Sequence, residues 1–131
     1  MTTLIDDLMN LATFDAECLP EDSAIDGNCM ASGDDEFDKD CGDGIRDQLE
    51  CGNDWAWCTV KVSATLGDLT GTDYLGCCSY ASKADFIAPG GYYDDMKTSA
   101  LDDLRAQLEA VIKSVPASML QAELSDRGID A

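Results

Sequence analysis

Residues 55–66 read WAWCTVKVSATL, and their alternation decides the fold. Ala56, Cys58, Val60, Val62, Ala64 and Leu66 fall on one face of a strand, and Trp55, Trp57, Thr59, Lys61, Ser63 and Thr65 on the other. GDLTG (67–71) supplies a turn and TDYLGCCSY (72–80) a second run of strand formers, so residues 55–80 are predicted to form an antiparallel hairpin. A two-stranded hairpin with one apolar face needs a cover.

That cover is expected from residues 92–114, where Met96, Ala100, Leu104, Leu108, Val111 and Val115 recur at spacings of four and three. Gly90 and Gly91 mark its start and Pro116 its end. PASMLQAELSDRG then reads as a second short helix, with Pro in its first turn and Gly128 at its C-terminal end. The fold class is therefore α+β: a small antiparallel β-sheet, the hairpin 55–80, packed against a long C-terminal helix.

Upstream, TLIDDLMNLAT (3–13) places Leu4, Leu8 and Leu11 at helical spacing. Thr3 is the expected N-cap, and Asp6 and Asp7 lie in the first turn, where the helix dipole favours anions. From Phe14 to Gly42 the apolar period disappears and Pro20, Gly27, Asn28 and Gly33 interrupt the chain, so most of this stretch is expected to be loop. A loop of that length in a compact domain points to function or disorder. The 131 residues suit a single domain, 1–131, with an acidic part of helix and loops over 1–54 and a scaffold of hairpin and helices over 55–131.

The chain carries 27 acidic and 8 basic residues, a formal net charge of −19, while 45% of it is hydrophobic. The hydrophobic fraction is that of a folded domain. The charge repels phosphate backbones and anionic membranes, which disfavours direct binding to either. Residues 1–54 contain 16 acids and 2 bases against 11 and 6 in the rest. No basic leader and no run of 18 apolar residues is present, so the sequence is that expected of a soluble, cytoplasmic protein. Its seven cysteines (18, 29, 41, 51, 58, 77 and 78) are accordingly expected to be free thiols, although a bridge among Cys18, Cys29, Cys41 and Cys51 would tie down the acidic part in an oxidising compartment.

Residues 34–50, DDEFDKDCGDGIRDQLE, resemble a calcium loop until the register is counted. With Gly44 at position 6, Asp43, Asp47 and Glu50 fit positions 5, 9 and 12, but positions 1 and 3 fall on Lys39 and Cys41, wrong ligands for a hard cation. Zinc is equally unsuited, since there is no His and the one close cysteine pair, Cys77 and Cys78, points to opposite faces of a strand. No metal and no cofactor is expected. Without His the usual general base is missing, and no Ser or Cys lies in an activating motif, so the chain is expected not to be an enzyme.

The charge itself then carries the functional reading. If 34–40 is extended, Asp34, Glu36, Asp38 and Asp40 alternate onto one side about 6–7 Å apart, a row able to compete with phosphates for Lys- and Arg-lined clefts. The candidate partner-binding residues are Asp34, Asp35, Glu36, Asp38, Asp40, Asp43 and Asp47, with Asp102 and Asp103 as a second cluster. Asp94 and Asp95 fit a capping role better. Trp55 and Trp57 are expected to be buried beneath the N-terminal part rather than exposed.

The elements WCTVKVSATLGDLTGTDYLGCCSY, ADF and GYYDDMKTSALDDL, within residues 55–112, resemble small uncharacterised proteins encoded by bacteriophages. The resemblance implies an origin rather than a mechanism. Small acidic phage proteins that imitate DNA against host defences supply an analogy. The expected function is inhibition of a basic nucleic-acid-binding host protein, such as a restriction or CRISPR component, by DNA mimicry. The alternative is a structural or accessory phage protein whose acidity serves solubility. The oligomeric state is left open.

Overall fold

The computed structural model describes residues 3 to 114. Its elements in chain order are α1 (Leu4–Met9), β1 (Thr13–Leu19), α2 (Asp35–Glu50), β2 (Cys58–Leu66), β3 (Leu69–Cys78), α3 (Lys83–Ile87) and α4 (Tyr93–Ser114), with a 3₁₀ turn at Asp54–Ala56. The three strands form one antiparallel sheet in the order β1-β2-β3, and helices pack on it, so the chain is α+β.

The alternation in β2 is realised. Cys58, Val60, Val62 and Ala64 are buried while Thr59, Lys61, Ser63 and Thr65 are half-exposed. Leu66 faces Leu69 across a two-residue turn in which Gly67 has φ 59°, the conformation that favours Gly at the first central position. The strand begins at Cys58 rather than Trp55. Trp55 sits in the 3₁₀ turn and packs into the core against Phe86 at 5.8 Å, with Tyr80 and Tyr93 edge-on to the same ring, so it does not share a face with Trp57. Trp57 is buried, and its Nε1–H donates to the Ser23 carbonyl at 2.9 Å. Trp57 thus lies beneath the N-terminal part, as expected, whereas Trp55 is half-buried and is covered by Phe86 of α3 instead.

Helix α4 supplies the cover through Met96, Ala100, Leu104 and Leu108, all buried. Val111, at 39% exposure, has run off the sheet. Val115 and the helix expected over 116–128 lie outside the described residues. At Gly71 the helix backbone comes so close that a Cβ there would stand 2.1 Å from the Ala100 carbonyl oxygen. The same helix blunts the outer edge of β3, where Asp103 accepts the Thr72 N–H at 2.9 Å and Gln107 donates to the Thr70 carbonyl at 2.8 Å. Helix α1 has the expected capping box at Thr3 and docks on α4 through Leu8 against Leu108, beside an Asp6–Arg105 ion pair.

The largest departure from expectation is between residues 14 and 42. Instead of loop, Thr13–Leu19 forms β1, pairing Phe14 with Ala64, Ala16 with Val62 and Cys18 with Val60, and residues 35–50 form four turns of helix. Only residues 20 to 34 are irregular. Pairing with the preformed edge of β2 supplies β1 with backbone hydrogen bonds that its Asp, Glu and Ala would not secure alone.

Candidate functional site

Helix α2 starts because Asp34 caps it: its Oδ1 accepts the N–H groups of Glu36 and Phe37 at 3.1 and 3.2 Å, and Asp35, Glu36 and Asp38 fill the first turn. Cys41, Ile45 and Leu49, four residues apart, mark its inward side, and Phe37, one turn before them, is exposed. Gly42 is buried against Ile25 and Asp26 of the preceding segment, where an added Cβ would meet Asp26 Oδ1 at 3.1 Å.

This helix corrects the geometry expected of the acids. Asp34, Glu36, Asp38 and Asp40 do not line one side of an extended segment, because residues 35 onward turn by about 100° each. The helix brings together a different set. Glu36, Asp40, Asp43 and Asp47, at i, i+4, i+7 and i+11, share the face opposite the Phe37–Leu49 side over about 16 Å of axis. Glu36, Asp40 and Asp47 are exposed and Asp43 is half-exposed.

Several of the nine candidate acids have local work. Asp34 is the cap. Asp38 Oδ1 accepts the Ser32 hydroxyl at 2.6 Å and the Ser32 N–H at 3.2 Å, tying the incoming chain to the helix. Asp43 pairs with Lys39 and Arg46, both at 3.0 Å, and Arg46 reaches on to Asp26. The Lys39 ammonium, then Arg46, hold the Asp43 carboxyl below the ordinary value, and Asp26 foremost holds Arg46 above its own. Asp103 is engaged with β3, so of the second cluster only Asp102 projects without a hydrogen bond or ion pair. Helices α2 and α4 make no extensive contact: α2 rests on the 3₁₀ turn and α4 on β2 and β3. Asp102 and Asp103 therefore do not extend the α2 face.

Glu21 is a residue the sequence did not single out. Its carboxylate accepts the Cys77 N–H, the Ser23 N–H and the Thr59 hydroxyl, chiefly the first of which holds its pKa below the ordinary value. It anchors the irregular segment to the sheet beside a β3 bulge, where Cys77 is the sole non-glycine at positive φ (55°) among the described residues. No periodicity or motif around Pro20 signals this role.

The calcium-loop reading fails structurally as well as in register, since Gly44 lies inside a continuous helix. Among the described residues no group of three or more Cys, Asp or Glu is placed to hold a metal ion, and no helix is long and apolar enough to cross a membrane. All seven cysteines are free thiols. Burial pushes the Cys58 thiol up to about 12. No family model, curated protein or solved structure matches the chain.

Proposed function

We propose that this chain is a non-enzymatic inhibitor that occupies the basic nucleic-acid-binding cleft of a host defence protein, presenting carboxylates of α2 where phosphates would lie. The observation that carries the reading is the Glu36, Asp40, Asp43, Asp47 face. Its four carboxylates recur about every 5 Å along a rigid helix, against about 3.4 Å for the charges of one DNA strand, and Asp35 and Glu50 flank it with further exposed acid. Among the described residues six of the seven cations, Lys39, Arg46, Lys61, Lys83, Lys97 and Arg105, are ion-paired, which leaves a surface field of one sign to steer a basic partner.

A second reading, an accessory phage protein whose acidity serves solubility, is favoured by the local duties of Asp34, Asp38, Asp43 and Asp103. Charge reversal at the acids without such duties separates the two. The triple variant Glu36→Lys, Asp40→Lys, Asp47→Lys should keep its helix content but lose a captured basic partner. Capture by the natural chain should weaken steeply with salt and yield to duplex DNA. A partner retained by the triple variant, or held equally at high salt and beside DNA, refutes mimicry.

A further inference from the structure

We propose that Cys29 and Cys41 are a reversible disulfide pair, a covalent clip fastening the segment before α2 onto that helix. Residues 24 to 29 close a tight turn around Gly27, whose φ is 81°: Asn28 and Cys29 N–H both donate to the Ile25 carbonyl, at 3.1 and 3.0 Å, and the Asn28 amide donates to the Ala24 carbonyl at 2.7 Å. The Cys29–Ile25 backbone hydrogen bond brings Cys29 back beside Ile25. Ile25 touches α2 at Gly42, its Cγ2 standing 3.6 Å from where a Gly42 Cβ would be, and Cys41 immediately precedes Gly42 on the helix. The two cysteines line the same cleft of about 460 Å³, with Met30, Ile45 and Tyr80 among its walls.

Both are half-buried, open enough for a small oxidant to enter. Cys58 and Cys78 also face one another, across β2 and β3, but at 1% and 5% exposure they are shielded from reagents. Cys51 and Cys77 are exposed, which suits them to mixed disulfides rather than to this cleft.

A low-molecular-weight disulfide such as oxidised glutathione supplies the oxidant. One thiolate attacks it and releases a reduced glutathione; the second thiolate then attacks the mixed disulfide and releases the other. Two protein thiols lose two protons and two electrons, one S–S bond forms, and one breaks in the oxidant. The clip does not depend on what the acids of α2 bind.

Trypsin reads the outcome, because Lys39 is the first basic residue of the chain and Arg46 the second. The full chain is treated with oxidised glutathione, alkylated and digested. Peptides 1–39 and 40–46 should appear joined, lighter than their sum by two hydrogens, and the oxidised protein should melt several degrees above the reduced one. Cys18→Ser should leave both results intact, since Cys18 shares the first peptide, whereas Cys29→Ser should abolish both. Seven alkylated thiols, glutathione retained on Cys41, Cys41 joined to peptide 47–61 or 62–83, or a link that survives Cys29→Ser would each overturn the pairing.

Discussion

Gly71 of β3 and Ala100 of α4 meet backbone to backbone: a Cβ on Gly71 would stand 2.1 Å from the Ala100 carbonyl oxygen and 2.4 Å from the Leu104 nitrogen. The helix can lie this low on the sheet only because the strand has no side chain there. Since the obstacle is main chain, no rotamer change relieves it. Gly71→Ala should therefore cost about 3 kcal/mol or more, seen as a collapse of the urea midpoint or failure to fold. A normal midpoint would mean that α4 does not cross β3 at this point.

Gly44 gives the opposite expectation. A Cβ there meets nothing within 4 Å, and the residue is exposed in the middle of α2. Gly44→Ala should stabilise the protein by about 0.5–1 kcal/mol. The same change would be damaging if residues 39–50 formed a calcium loop pivoting on this glycine, so denaturation of one variant distinguishes the two conformations.

Cys77 occupies a left-handed position, at φ 55°, in the bulge where β3 spends an extra residue between the partners of Val60 and Cys58. Glycine adopts this conformation without the steric cost that a side chain brings, though it loses more backbone entropy on folding. Cys77→Gly is expected to gain about 0.5 kcal/mol, the relief outweighing the entropy, and a thermal melt under reducing conditions measures it. A clear loss would show that the thiol itself makes a stabilising contact.

The Glu21 carboxylate, held below its ordinary value of 4.5 mainly by the Cys77 N–H, should make stability depend on pH in one direction. A depressed folded value means the contribution is full above about pH 4.5. It is lost as the pH falls through the lower folded value. Wild type should thus exceed Glu21→Gln by its widest margin near neutrality, and the two denaturation midpoints should converge in acid. A gap that is constant with pH would assign the effect to shape rather than charge.

Added salt should raise the melting temperature. Screening weakens the seven surface ion pairs among the described residues, each worth at most about 1 kcal/mol, but it also weakens repulsion across a net charge of −19. With so few cations, repulsion dominates. Raising sodium chloride from about 20 to about 300 mM should lift the midpoint by a few degrees; a fall would mean that the paired cations hold the fold more than the crowding of acids opposes it.

The scaffold was legible where hydrophobic periodicity was strong. The face of Cys58, Val60, Val62 and Ala64 and the stripe of Met96, Ala100, Leu104 and Leu108 each came straight from spacing. Strand β1 was not, because Phe14, Ala16 and Cys18 alternate with Asp15 and Glu17 in a run of weak strand formers, and the force that straightens it comes from β2. Helix α2 does carry a signal: Phe37, Cys41, Ile45 and Leu49 recur every four residues behind an Asp34 cap. Gly42 and Gly44, both poor helix formers, and the resemblance to a metal loop obscured it. The arrangement of the acids depended on that one assignment, which replaces a row on an extended chain by a face on a helix.

The sheet has been closed on one flank and left open on the other. Asp103 and Gln107 occupy polar backbone groups of β3, whereas among the described residues no further strand lies beside β1. Two molecules could in principle join there, β1 to β1, into a continuous six-stranded sheet. In an antiparallel join centred on Ala16, Asp15 of each copy would face Glu17 of the other, four carboxylates along a single seam whose ion pairs with Lys83 and Lys61 would be crowded by the join. The same acidity that gives the molecule its outward field thus acts at this seam as a gatekeeper against fibrous self-association, and neutralising Asp15 and Glu17 together should be the shortest route to making this protein aggregate.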